Sequence, residues 1–420
     1  MSQIADAGAP SARRRLLVTA PCPPRLAATV GGSRILGELV AALSTRHDLA
    51  LLYLRASDEP PIDDALARRC SLVEEVARTG AARFSTRLRR YFAPLLGIPT
   101  WAAYLAVDEF ALHVRRLANQ WKPDVVHFET HVMGQYANAL PDRSAARVLT
   151  EHEPGVLAAR EHMAVRRGVI GTWDWLERRA WARYERSVLA NVNAIVVFTT
   201  RDRLELQPMA GATPIVVIPF HTKLPPRPVA PDRSAGTSAD VLFVGSFVHP
   251  PNTDAALRLV GTIFPRVRRR TGEATLHIVG GDPPARLRAA SGPGVHITGR
   301  VPDVTPYLAQ AAVVAIPLRL GGGMRVKTLE ALAAGKAVVA SPRALEGLDV
   351  TDGVEVIVSE NDEAFADAIV SLLGDAHRRE ALGRAARAWA EHYLSPERWV
   401  AAYERLYDDL LIRAPRPTRA

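Results

Sequence analysis

Residues 317–341 read PLRLGGGMRVKTLEALAAGKAVVAS. An apolar run stops at Pro317, glycines occupy 321–323, a helical pattern starts near Met324, and Gly335 ends it before a second apolar run. That order of strand, glycine-rich turn, helix and strand is the βαβ unit of a parallel sheet. The glycines let a ligand approach the backbone, and the first-turn amides of the following helix favour an anion. Arg325 and Lys327 place two cations beside that terminus, which suits a diphosphate. Glu330, three residues after Lys327, offers carboxylate oxygens to a ribose diol. The plainer alternative is a surface Lys327–Glu330 pair at i,i+3 beside an ordinary turn. The surrounding order of elements favours the ligand.

Outward from this block, short β-rich runs alternate with helical patterns. Strands are expected at 15–19 (RLLVT), 49–54, 124–128 (DVVHF), 147–151, 194–198 and 214–219. A second series is expected at 240–245 (DVLFVG), 275–280, 295–299, 312–317 and 337–341. Near-continuous apolar strands separated by helices predict an α/β chain whose parallel sheets are covered on both faces. The stretch KLPPRPVAPDRSAGTS at 223–238 reads as a linker. It separates a Rossmann-like domain at 15–222 from a second at 239–393, with a helix at 394–412 returning to the first. Residues 1–14 read as a disordered leader and 413–420 as a tail. Two doubly wound domains facing a cleft would bind ligand at the carboxyl ends of their strands.

Composition narrows the function. The 420 residues are 48% hydrophobic and 23% charged, ordinary globular values that exclude a largely disordered chain. Two cysteines exclude a disulfide framework and a Cys-rich zinc site. No apolar run reaches the roughly 18 residues needed to span a bilayer. The apolar stretch after Arg13–Arg15 breaks at Pro21, so it reads as a buried first strand and not a signal peptide, and the expected location is cytoplasmic. The net charge of +9 says little about nucleic acid, because only four of the 53 basic residues are lysines and an Arg-rich, Ala-rich bias marks GC-rich coding. No nucleic-acid-binding module is present. The first-strand loop carries Gly31 and Gly32 ahead of a helix bearing Arg34, and DVVHFETH carries His127, Glu129 and His131. His127 reads as a core histidine of its strand, and His152, in VLTEHEPG, as a satisfied wall residue.

The block at 317–341 resembles the signature of the retaining glycosyltransferases of group 1 (family four), which have the GT-B fold. VLFVGSFVHPPNTDAALRLV, TLHIVGGDPP, VHITGRVPDVTPYLAQAAVVAIPL and SPRALEGLDVTDG extend the likeness over most of 240–393. KPDVVHFETH and RYERSVLANVNAIVVFTTRD carry it more loosely into the first half. The resemblance implies sugar transfer from a nucleotide-diphosphate sugar to a hydroxyl of a glycan, lipid-linked or small-molecule acceptor. The anomeric configuration would be kept, in bacterial cell-surface polysaccharide or glycoconjugate biosynthesis. It implies no cofactor and no metal, since no Asp-x-Asp strand end is present.

Glu330 then matches the second acid of an E-x7-E motif, whose first acid is replaced by Gly322. The donor set implied is Gly31, Gly32, Gly245, Gly322, Gly323, Met324, Arg325, Lys327 and Glu330. Ser246 begins SFVHPPN, where relatives hold Arg and Lys, and Arg325 and Lys327 of the GGGxRxK pattern supply the charge instead. Glu129 falls where many relatives carry an active-site histidine, so the expected catalytic groups are Glu129, Arg325 and Lys327. A carboxylate there would stabilise an oxocarbenium-like transition state or orient the hydroxyl. His131, His152, Ser246, Arg300 and Glu346 are further candidates. Basic stretches with aromatics at 78–90 and 160–186 would suit peripheral contact with the inner face of a membrane, or plain solvated helix faces. Two other readings remain: a nucleotide-sugar epimerase of the same fold, and a non-catalytic sugar-nucleotide-binding protein.

Overall fold

A computed structural model describes residues 12–26, 31–78, 90–141, 145–165, 172–219, 239–321 and 325–413. They fall into two compact units, one holding 12–219 with 396–413, the other 239–321 with 325–395.

The first unit is built on a seven-stranded parallel sheet. Its strands are β1 (Arg15–Ala20), β2 (Asp48–Arg55), β3 (Leu72–Ala77), β4 (Val125–Glu129), β5 (Ala146–Glu151), β6 (Ala194–Val197) and β7 (Ile215–Val217). Their spatial order is β3-β2-β1-β4-β5-β6-β7. The second unit has β8 (Asp240–Val244), β9 (Thr275–Val279), β10 (Val295–Gly299), β11 (Val313–Ile316), β12 (Val338–Ala340) and β13 (Ile357–Val358), in the order β10-β9-β8-β11-β12-β13. Every ladder is parallel, as the apolar runs require. Both sheets reverse direction once, between β1 and β4 and between β8 and β11. That crevice is where doubly wound sheets bind ligands. Leu16, Leu17 and Val18 in β1 and Val241 and Phe243 in β8 are 0% exposed, so both sheets are covered on both faces.

Two strands go beyond the expected set. β3 reads LVEEVA and lies at an edge, where its acids are useful: Glu75 pairs with Arg55 at 2.7 Å, and Glu74 receives Arg116 and lies 2.7 Å from His113 Nδ1. Charge on an edge strand blocks further pairing, and it also hides the strand from an apolar-run reading. β13 has two residues, too few to show a period. The helix expected near Met324 begins at Val326 among the described residues. The linker at 223–238 and residues 79–89 and 166–171 of the basic stretches lie outside the described residues.

The helix Pro396–Arg413 belongs to the first unit. Its apolar stripe buries Trp399, Tyr403 and Tyr407. The Tyr407 hydroxyl lies 3.1 Å from His127 Nδ1 in β4, Glu404 pairs with Arg46 at 3.0 Å, and Asp408 pairs with Arg14. No helix among the described residues is long and apolar enough to cross a membrane.

In the second unit the helix Ala376–Tyr393 crosses the turn after helix Val326–Ala333 at Gly383. A Cβ at Gly383 would stand 2.2 Å from the Gly335 carbonyl oxygen. Helix propensity alone makes Gly→Ala stabilising by about 1 kcal/mol. The clash is with backbone, so Gly383→Ala should instead destabilise the second unit by roughly 1–3 kcal/mol. A urea unfolding midpoint above that of the parent would refute the contact.

Candidate active site

In the second unit, Gly245, Arg325, Lys327 and Glu330 lie on the elements that meet at the β8/β11 reversal. Gly245 follows β8, its amide donating to the Val279 carbonyl at 3.0 Å. Gly280, at φ +152°, packs so closely that a Cβ there would meet the Gly245 carbonyl at 1.9 Å. The following loop is latched from helix Pro250–Arg258. Asn252 donates from its side-chain amide to the Ser246 carbonyl at 2.7 Å, and Thr253 from its hydroxyl to the Phe247 carbonyl at 3.2 Å. The Asn of the PPN pattern thus fixes the loop, a role its spacing did not announce. Ser246 itself is exposed.

Beyond β11, Ser341 donates its hydroxyl to the Leu318 carbonyl at 2.6 Å, and buried Arg258 donates to the Pro317 carbonyl at 2.9 Å. Gly322, Gly323 and Met324 lie outside the described residues. Arg325 caps helix Val326–Ala333. Its guanidinium donates to the Gly321 carbonyl at 2.9 Å and to Glu346 at 2.8 Å, and Arg343 donates to the other Glu346 oxygen at 2.8 Å. At 3% exposure, Arg325 ties the two ends of the glycine-rich turn to the loop after β12. Thr328 reinforces the same join, its hydroxyl donating to the Ala344 carbonyl at 2.8 Å.

Lys327 and Glu330 line a small cavity of about 10 Å³, room for roughly one water molecule, together with Val244, Val304, Leu308 and Ile316. Burial and the nearby Arg325 charge lower the Lys327 ammonium to about 8, with Glu330 pulling the other way. A cation kept in a low-dielectric pocket and short of its usual stabilisation is suited to an anion. Arg300, after β10, is held by Asp282 at 3.0 Å on the exposed surface.

In the first unit, Glu129 ends β4 and pairs in register with Thr150 of β5. Period-two alternation puts His127 and Glu129 on one face with Thr150 and His152. Glu129 is 1% exposed, with His127 Nε2 at 2.9 Å from one carboxylate oxygen and His152 Nε2 at 2.8 Å from the other. Burial alone would raise its pKa, but the two imidazoles outweigh that and bring it down to about 2. The expectation that the Glu129 carboxylate itself meets the reacting sugar therefore needs correcting. It is buried, and the partly exposed group it meets is His152.

The opposite face carries a second cluster that composition and spacing did not reveal. His131 is held edge-on between Trp101 and Trp181, with ring centroids at 5.0 Å from each, and its Nδ1 lies 3.0 Å from Glu151. Burial lowers the His131 pKa and raises that of Glu151, so it favours the neutral form of each. Glu185 accepts from the amides of Gly155 and Val156, and burial followed by Glu151 raises it to about 7. Gly31 and Gly32 open the helix Gly31–Leu43 after β1, with open space around the Gly32 Cβ position.

Comparison with known sequences fits this geometry. The family described as "Glycosyl transferases group 1" matches residues 238–375, and "Glycosyltransferase Family 4" matches residues 30–220. The chain belongs to the group 1 glycosyltransferases of family 4. The segment 238–375 carries the β8/β11 reversal, and the fold is GT-B. The sucrose-phosphate synthase of Thermosynechococcus elongatus superposes with a TM-score of 0.69 at 18% identity, covering 95% of this chain and 100% of that one. HepE of Anabaena, solved with UDP and glucose, gives 0.63 at 13%, covering 94% and 98%. A GDP-mannose-dependent alpha-(1-6)-phosphatidylinositol monomannoside mannosyltransferase of Mycobacterium tuberculosis is 34% identical over 165 residues. That match spans 36% of this chain and 42% of the relative's length.

The family frame leaves Glu185 and Glu151 with a consequence for stability. The folded pKa of Glu185 lies above the ordinary 4.5, so the folded state keeps a proton that the unfolded chain has released. Its stabilising contribution is complete below about pH 4.5 and is lost as pH rises through 7. Glu185→Gln keeps the oxygen acceptor without the titration. It should reduce the fall in melting temperature between pH 5 and 8 by on the order of 5 °C. Parallel curves for the two proteins would contradict the assignment.

Proposed function

We propose that the protein is a retaining glycosyltransferase that moves a sugar from a nucleoside-diphosphate sugar to an acceptor hydroxyl, in the building of a cell-surface polysaccharide or glycoconjugate. The observation that carries this is Lys327 beside Glu330 in a cavity at the β8/β11 reversal, on a helix whose start is braced by Arg325. The names of relatives support the donor class, since one is GDP-mannose-dependent and another was solved with UDP and glucose.

In this reading Lys327 and the helix amides hold the diphosphate, and Glu330 accepts hydrogen bonds from the ribose diol. Lys327 can act here as a point charge. Arg325 is a positioning residue, because its guanidinium is engaged with Gly321 and Glu346. The anomeric C–O bond to the diphosphate breaks as the acceptor oxygen bonds to the same face of that carbon. The acceptor proton passes to a departing diphosphate oxygen, so no protein nucleophile is required. Charge that grows on the leaving group is met by fixed dipoles and the Lys327 ammonium, an electrostatic route needing neither cofactor nor divalent metal. On the first unit, Glu129 fixes the ring of His152, the imidazole placed to contact an acceptor.

A thermal-shift screen across nucleoside diphosphates and their sugars would find the donor, and turnover with the best binder would test the chemistry. Lys327→Ala should lower kcat roughly 100-fold or more. Glu330→Ala should mainly raise KM, by about tenfold. With Lys327 near 8, kcat/KM should decline above about pH 8 as the ammonium loses its proton. Unchanged turnover in both variants would defeat the proposal, and tight nucleotide binding with no turnover or donor hydrolysis would favour a binding protein.

A further inference from the structure

The helix Thr172–Leu189 of the first unit carries two opposed stripes. Ala180, Trp181, Tyr184 and Val188 are buried in the core. On the other side Trp175, Arg178, Arg179, Ala182, Arg183 and Arg186 follow one another at helical spacing and line a groove of about 620 Å³. Val156 and Arg160, from helix Gly155–Val165, complete its wall. Among the described residues, five arginines and no carboxylate line it.

Two of the three acids of the helix, Glu177 and Glu185, are engaged away from this face, and the third is Asp174 in its first turn. Glu177 accepts from the Thr100 amide at 2.9 Å and its hydroxyl at 3.0 Å, and Glu185 accepts from Gly155 and Val156. Arg160 reaches Glu205 at 3.4 Å, and Arg179 lies over the Trp175 ring at 5.5 Å. Arginines elsewhere are used differently. In helix Phe264–Thr271, Arg266 donates to the Thr262 carbonyl, Arg268 to the Pro293 carbonyl, and Arg270 pairs with Asp367. Like charges at i,i+3 and i,i+4 destabilise a helix on their own. A row of guanidinium forks around a concave surface matches the oxygens of phosphate.

We propose that this groove is a phosphate-binding site, taking a ligand with a phosphomonoester or phosphodiester head. The phosphate could come from a soluble ester or a phospholipid. The flank of the helix favours the lipid, because Tyr91 stacks on Trp173 at 4.6 Å and the neighbouring Phe92, Leu95 and Leu96 are exposed. Val156 stands four residues from His152, so its Cα lies within about 14 Å of the His152 Cα. Read with the proposed sugar transfer, the ligand would be an acceptor carrying a phosphate. The binding itself does not rest on that reading.

The test uses the full chain in two arms: sedimentation with vesicles of phosphatidylcholine with and without phosphatidylglycerol, and calorimetry with glycerol 3-phosphate. Arg178→Gln/Arg186→Gln removes two exposed charges and leaves the buried stripe alone, with circular dichroism as the check on folding. The parent should bind in at least one arm, more weakly at high salt, and the double variant should bind roughly tenfold or more weakly. Lys327→Ala should bind like the parent. Vesicle binding alone identifies a lipid source, and glycerol 3-phosphate binding alone a soluble one. Absence of parent binding in both arms, equal binding by the double variant, or loss in Lys327→Ala alone would each overturn the site. The last outcome would leave the sugar-nucleotide reading intact.

Discussion

Parallel pairing forces every strand of a sheet to end on the same edge, and in both units that edge collects the charged residues. Where the strand order reverses, helices leave on opposite faces and the loops diverge, which opens a crevice without any side chain being spent on it. β8 and β11 deliver Gly245 and the glycine-rich turn to one such crevice, and β1 and β4 deliver Gly31 and Glu129 to the other. The chemistry of each site then depends on which side chains the next few residues supply.

In the first unit that supply is a set of charges placed out of water. An ionised carboxylate at 1% exposure is costly unless its oxygens are occupied. The fold sets His152 against one oxygen and the His127 ring near the other, and then braces His127 with Tyr407 from the far end of the chain. On the other face burial pushes the opposite way, raising the pKa of Glu151 and lowering that of His131 toward their neutral forms. Two clusters a few residues apart therefore respond to pH in opposite directions. Lowering the pH erodes the Glu129 network, and raising it strains the Glu151–Glu185 side.

Much of this was legible in the sequence, and the limit is physical. Runs such as RLLVT and DVVHF stand out because parallel strands are apolar on both faces. LVEEVA does not, because an edge strand can spend its outward positions on Glu74 and Glu75. The pattern Arg325, Lys327, Glu330 is local to one helix and could be read by counting. The Arg325–Glu346 contact spans 21 residues and depends on the loop after β12 folding back. Glu129 and His152 meet only through the β4–β5 register, and His127 and Tyr407 are 280 residues apart. Long-range register decides which of several nearby polar groups is buried and which is presented, and no count along the chain contains it.

The choice of cation at 325 and 327 follows from the same distinction between holding and presenting. Position 325 must tie a carbonyl and a carboxylate at once while staying charged in a buried place. The planar, permanently ionised fork of arginine does that. Position 327 sets a compact charge on a cavity wall beside Glu330. An ammonium lowered to about 8 gains most from an anionic partner, because the anion restores the stabilisation that burial removed. Lysine alone does not mark function, since Lys336 is buried, is likewise lowered to about 8, and donates to the Ala309 carbonyl at 3.4 Å. What separates the two is their surroundings. Lys336 is closed against backbone, whereas Lys327 shares a cavity wall with Glu330 at the point where two strands part.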